Sequence, residues 1–247
     1  LGLKELFSTK WAPNVSKPEA GHYGMMLFLV GTLYTTIIAM LLAAPLGIGT
    51  AIFIDQVAPR RMSNMMRRGI ELLAGIPSVI VGWFGLTLLV PFIARTTGSA
   101  GYGVLAASLM LVVMSLPTIT TLSAETLRAI PNELKEASAA MGATRWQSIR
   151  KIILPAGRDG LIIAVILGMG RAIGEAMAVQ MVIGNATQLT FSPLQPTGTI
   201  TSNLVTNIAE APPGVFRSAL FAQGLVLLII AMVLIVMIRV ISRKRKA

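Results

Sequence analysis

The chain has 247 residues, of which 54% are hydrophobic and only 13% charged, with a mean hydropathy of +0.75. Soluble domains carry about 25% charged residues, so this composition excludes an ordinary soluble domain and places the chain in a lipid bilayer. The absence of cysteine and the single histidine, His22, exclude a disulfide framework and Cys- or His-based metal centres. The net charge of +11 does not signify nucleic acid, because the basic residues lie in blocks between apolar runs, as membrane topology requires.

In chain order, the first segment, 1–24, begins LGLKELFSTKWAPN and lacks the apolar core of a signal peptide. It starts at Leu1 rather than Met, so a further N-terminal segment is expected before it. About 20 mainly apolar residues are needed to cross a bilayer as a helix. Five runs satisfy that length, at 25–54, 72–94, 104–127, 161–183 and 219–241. Pro45, Pro77, Pro91 and Pro117 interrupt them, which membrane helices tolerate where neighbours satisfy the freed carbonyls.

Charge sets the orientation. Arg60, Arg61, Arg67 and Arg68 follow the first run. Arg128, Lys135, Arg145, Arg150, Lys151 and Arg158 follow the third, and Arg239, Arg243, Lys244, Arg245 and Lys246 close the chain. Five spans put all three clusters on one side, against Lys4, Lys10, Lys17, Arg95 and Arg217 on the other. The positive-inside rule makes the clustered side cytoplasmic, including the basic tail 242–247. The membrane-embedded region is then 25–241, with 1–24 outside. The loop 184–216, with Pro193, Pro196, Pro212 and Pro213, is also external, either as a solvated connection or as a contact for an external partner.

The loop 131–155, PNELKEASAAMGATRWQSIRKIILP, faces the cytoplasm. Pro131, Glu133 and Glu136 favour the start of a helix. Leu134, Ala137 and Met141 give it one narrow apolar face, and Gly142 is placed to end it in a left-handed cap. Amphipathicity alone fits a helix lying on lipid. The spacing of Glu136, Ala137, Gly142, Ile152, Leu154 and Pro155, however, resembles the EAA signature of ABC importer permeases, E-A-A-x3-G-x9-I-x-L-P, with Ser138 replacing the third small residue. In that family the loop is the coupling helix that seats in a cytoplasmic ATPase.

The fourth run carries GRAIGEAMAV, 170–179, with Arg171 near mid-span and Glu175 one turn later. A charge at the bilayer centre costs roughly 2.5–3.5 kcal/mol on insertion scales. On one continuous helix, Gly170, Gly174 and Ala178 form a small-residue stripe for close packing, with Arg171 and Glu175 on the adjacent stripe. Two readings of the pair stand. Arg171 supplies a permanent charge whose planar fork matches oxyanions, with Glu175 holding it in a substrate path. Alternatively the two residues form a packing pair, in the weaker Arg-before-Glu order.

GIPSVIVGWFGL (75–86), GRAIGEAMAVQMVIGN (170–185) and VGTLYTTIIAMLLAAPLGIGTAIFIDQVAP (30–59) resemble the PstC permeases of bacterial phosphate-specific ABC importers, with Ala176 where Thr is expected. The resemblance covers nearly the whole chain from Trp11 onward. It implies an all-α polytopic transmembrane helix bundle with the type I ABC importer permease fold, in the bacterial cytoplasmic (inner) membrane. Five spans lie in this chain and a sixth, N-terminal span is expected before them. It implies a subunit that pairs with a homologous PstA-like permease, two copies of a PstB-like ATPase and an external PstS-like phosphate-binding protein. Phosphate would pass along Arg171 and Glu175 beside Gly170 and Gly174, and the chain itself would bind no cofactor. ATP and Mg would be used by the partner ATPase, in keeping with the lack of a G-x-x-x-x-G-K-[ST] loop here. Permeases for molybdate or sulfate, and an ATP-independent channel or carrier, are the alternatives.

Overall fold

A computed structural model of the chain describes residues 7–14 and 17–244. Parts of the two terminal segments, including Lys4, Arg245 and Lys246, lie outside the described residues. Among the described residues, helices long and apolar enough to cross a membrane run over Met26–Val57, Ser78–Thr97, Val104–Arg128, Arg145–Gly174 and Val215–Ile241. The α-helices of the described residues are α1 (Met26–Ile52), α2 (Arg60–Gly75), α3 (Ser78–Phe84), α4 (Val90–Thr97), α5 (Val104–Arg128) and α6 (Asn132–Ala140). They continue as α7 (Arg145–Ser148), α8 (Leu154–Gly174), α9 (Met177–Ile183), α10 (Ile200–Asn207) and α11 (Val215–Lys244). A minimal antiparallel ladder pairs β1 (Trp11–Ala12) with β2 (His22–Tyr23).

Two expected spans are redrawn. The second begins at Ser78 rather than at residue 72, because Leu72, Leu73 and Ala74 belong to α2. Pro77, in extended conformation, starts α3 instead of interrupting it. The fourth does not run through residue 183: α8 ends at Gly174, and α9 is a separate short helix. Arg171 therefore lies in the last turn of a helix, not at the middle of one.

Three widened turns share one cause. Ala58, Val90 and Leu154 each donate their N–H five residues back, to the carbonyls of Phe53, Gly85 and Ile149. Each of the three directly precedes a proline, Pro59, Pro91 and Pro155. Proline has no N–H and its ring crowds the carbonyl four residues earlier, so a wider turn relieves the clash. Pro45 and Pro117 instead sit inside continuous α1 and α5.

The chain forms two compact units. The first comprises the segment up to Ala39 with Ile76–Val112 and Arg171–Val233. Its core joins Trp11 and Tyr23 to Phe28, Ile200, Phe216 and Leu220. Trp11 meets the Phe28 ring edge-on at 5.1 Å, so the N-terminal ladder is anchored in this core. Backbones approach closely where α3 crosses α9: a Cβ at Gly82 would stand 2.9 Å from the Ala178 Cα and 2.8 Å from the Met181 sulfur.

The second unit comprises Met40–Gly75, Val113–Gly170 and the segment from Leu234. Its core is Ala51, Ala124, Leu127, Ile130, Ile149, Ile153 and Leu161. Asp55, in the widened turn after α1, accepts from Arg67 of α2 at 3.5 Å and lies 3.6 Å from the Arg128 Nε at the end of α5. The adjacent Gln56 amide donates to the same carboxylate at 2.6 Å. The described residues of the three basic clusters all belong to this unit.

Candidate functional site: an interrupted membrane helix and a capped loop

Within the first unit, the interruption after α8 is built from polar groups. The Glu175 N–H reaches the Ala172 carbonyl at 3.3 Å and closes the last turn. The Glu175 carboxylate accepts from the Ala178 N–H at 3.3 Å, capping the start of α9. The Thr201 hydroxyl, buried in the first turn of α10, donates to the Glu175 carbonyl at 3.0 Å. Thr199 caps α10 in a reciprocal box with Ser202, and the Ile200 N–H donates to the Thr32 hydroxyl of α1. The loop 184–216 is thus no simple solvated connection, since Ile200 to Asn203 are buried. A cavity of about 200 Å³ opens beside α10, lined by Asn185, Ser202, Asn203 and Asn207 and, among its apolar residues, by Trp11 and Phe28.

The single continuous stripe expected for Arg171 and Glu175 is corrected by this break: Glu175 stands outside α8 and turns to α9. Both side chains are half-buried. Arg171 is at the C-terminal, electronegative end of α8, and the Glu175 carboxylate is at the N-terminal end of α9. Each charge meets a helix end of opposite sign, an arrangement worth about 0.3–1 kcal/mol apiece. Gly170 and Gly174 are exposed; a Cβ at Gly174 would meet nothing within 4 Å among the described residues, and one at Gly170 only the Leu234 side chain at 3.9 Å. Of the expected small-residue stripe, Ala178 makes close backbone contact, with Gly82.

The loop 131–155, within the second unit, folds as two capped turns. Helix α6 ends with Gly142 in the left-handed region at φ 76°. The Gly142 N–H donates to the Ala139 carbonyl at 2.9 Å, and that of Ala143 to the Ser138 carbonyl at 3.2 Å. This is a Schellman closure, which requires a residue free of a Cβ penalty at that position. Thr144 then caps α7 in a box with Gln147, each side chain accepting from the other's backbone N–H. The T-x-x-Q spacing of that box is visible in the sequence. Ser138, the departure from the signature, is buried, and its hydroxyl lies 2.6 Å from that of Ser148.

Glu136, Ala137, Gly142 and Pro155 are exposed, whereas Ile152 and Leu154 are half-buried beside the core residues Ile149 and Ile153. Leu134, Met141 and Trp146 present apolar surface, with Met141 85% exposed. A helix with that much uncovered apolar side chain, held by caps at both turns, is built to be covered by something else.

An interrupted membrane helix bearing a cation and a capped loop with an uncovered apolar face belong to a helical chain with five helices long and apolar enough to cross a membrane among its described residues. Residues 43–247 match the family described as "Binding-protein-dependent transport system inner membrane component", and the chain belongs to that family. It is 46% identical to the "Probable ABC transporter permease protein YqgH" of Bacillus subtilis (strain 168), over 99% of this chain and 79% of that one. It is 37% identical to the "Phosphate transport system permease protein PstC" of Xylella fastidiosa (strain 9a5c), over 98% of this chain and 81% of that one. Among solved structures, an inward-facing MetNI methionine ABC transporter shares the fold with a TM-score of 0.68 at 22% identity, covering 89% of this chain and 97% of that one. The fold is therefore that of ABC importer permeases, and the chain is an ABC transporter permease of the inner membrane.

Proposed function

We propose that this chain is a membrane-spanning subunit of an ATP-driven phosphate importer. The observation that carries the reading is its near full-length relation to permeases named for phosphate transport. The pathway would form with a homologous PstA-like permease, and an external PstS-like protein would deliver phosphate. Arg171 supplies a fixed cation at the end of α8, able to pair with two oxygens of an oxyanion. Glu175, capping α9, holds the adjoining backbone, and its carboxylate keeps the anion from being trapped. Gly170 and Gly174 leave that side of the helix open for the second permease.

The loop 131–155 is the docking element for one of two PstB-like ATPases, which hold ATP and Mg. The exposed Leu134, Met141 and Trp146 are the contact, and Glu136, Ala137, Gly142, Ile152, Leu154 and Pro155 shape it. This places the loop and the basic tail in the cytoplasm, and 1–24 and 184–216 outside. ATP closes the ATPase pair, and the docked loops move the permeases between inward- and outward-facing states.

The test is ATP-driven uptake by the complete complex in proteoliposomes. Phosphate should be imported, sulfate and molybdate should not, and Arg171→Gln should abolish uptake with assembly intact. Preference for another oxyanion, or uptake without ATP, overturns the reading of the substrate or of the energy source. Normal uptake by Arg171→Gln removes Arg171 from the path.

A further inference from the structure

Helix α2, Arg60–Gly75, has three faces. Consecutive residues on a helix turn by about 100°, which places Ser63, Arg67 and Ile70 together. That face is docked: Ser63 and Ile70 are buried, and Arg67 reaches Asp55. A second face groups Met62, Met65, Leu72 and Leu73, all exposed, Met65 by 68% and Leu72 by 73%. The third carries Arg60, Arg61 and Arg68 with Asn64 and Glu71, also exposed.

The ends of α2 are fixed by its neighbours in the chain. The span Met26–Val57 ends two residues before it, and the span Ser78–Thr97 begins after Ile76 and Pro77. Tethered so closely to a membrane span at each end, α2 stays at the bilayer boundary. Its docked face fixes its roll, so the apolar and basic faces are presented together. Beside it, an open apolar groove of about 310 Å³ is lined by Pro45, Leu46, Gly49, Thr50, Phe53 and Met66. Met66 belongs to the margin of the apolar face, so groove and face are continuous.

We propose that α2 is an interfacial helix that binds anionic phospholipid. Arg60, Arg61 and Arg68 contact headgroup phosphates, the Met65–Leu72 stripe enters the acyl boundary, and the groove receives an acyl chain. A helix with an apolar stripe bordered by cations binds such surfaces by buried area plus attraction to anionic lipid. The proposal rests on the permease reading with this loop at the cytoplasmic surface, but not on the identity of the transported ion. Each arginine is expected to contribute roughly fivefold to lipid retention, the factor equivalent to about 1 kcal/mol per cation near an anionic surface.

The chain contains no cysteine, so single labels can be placed without removing any from it. Spin labels at Met65→Cys, Leu72→Cys and Asn64→Cys are to be compared in the full complex, the partners' cysteines replaced, in phosphatidylcholine–phosphatidylglycerol vesicles. The labels at 65 and 72 should be reached by oxygen and shielded from a water-soluble nickel chelate, with the reverse at 64. Access of nickel to 65 and 72, or shielding of both from either reagent by a protein neighbour, overturns the proposal. Co-purified phosphatidylglycerol should fall by roughly a hundredfold when Arg60, Arg61 and Arg68 all become Gln, and be kept when all become Lys. Undiminished retention in the Gln variant also overturns it. Phosphate uptake is scored separately, so failure of the phosphate reading leaves a distinct signature.

Discussion

The hydroxyls of Ser138 and Ser148 lie 2.6 Å apart and join α6 to the end of α7. Ser148 also donates to the Thr144 carbonyl at 3.3 Å, so one hydroxyl links both capped turns of the loop. Ser138→Ala removes one partner but leaves Ser148 an acceptor, and should loosen the loop by about 0.5–1.5 kcal/mol. Amide hydrogen exchange over 138–148 measures it: faster exchange with retained helix is expected. Ser138→Val, at a 2% exposed site, should cost more, about 1–3 kcal/mol through overpacking.

Gly142 meets a purely conformational demand. Its φ is 76°, and a Cβ there would touch nothing within 4 Å among the described residues. Gly142→Ala should therefore weaken the end of α6 by about 1–2 kcal/mol, the penalty of the left-handed region, with Asn milder than Ala. Hydrogen exchange of the Gly142 and Ala143 amides reads the cap. Uptake per ATP hydrolysed reads its consequence and should fall in step.

Glu175 separates capping from charge. Gln keeps an oxygen able to accept from the Ala178 N–H, whereas Ala does not. If the side chain serves α9 alone, Glu175→Gln should transport nearly normally and Glu175→Ala should be destabilised by about 0.5–2 kcal/mol. The substrate-path role predicts otherwise: Gln should retain the melting temperature and lose uptake. Paired melting and uptake measurements distinguish the two.

Asp55 holds two cations of unequal exposure, Arg67 with 23% of its side chain exposed and Arg128 with 65%. Asp55→Asn should lower stability chiefly through the more buried Arg67, by about 1 kcal/mol after allowance for solvent screening. Arg67→Gln should reproduce most of that shift and Arg128→Gln little of it, in melting curves of the detergent-solubilised complex. Equal effects of the two arginines would contradict the burial argument.

The apolar runs revealed five spans because bilayer thickness imposes their length. Helix α2 was hidden because its arginines break the apolar pattern while Leu72, Leu73 and Ala74 run on toward α3. Pro77 carried the missing boundary, since the residue before a proline avoids helical backbone and a proline readily begins a helix. The end of α8 had no comparable signal. Residues 172–177 read AIGEAM, mostly good helix formers, and what divides them is tertiary: the Thr201 hydroxyl on the Glu175 carbonyl and the packing of Ala178 on Gly82. Conversely, the Gly142 cap was legible because only its backbone conformation was at issue.

The interruption after Gly174 makes a joint of residues 175 and 176. Helix α9 is fastened to α3 at backbone distance, so mechanically it travels with the second membrane span. It is joined to α8 by a two-residue link rather than by a continuous ladder of hydrogen bonds. A shift of the second span therefore acts on that link, one turn from Arg171, without having to twist α8 as a rod. Arg171 stands one turn before that link, in the last turn of α8, so its backbone is the part of α8 nearest to any displacement passed on by the second span.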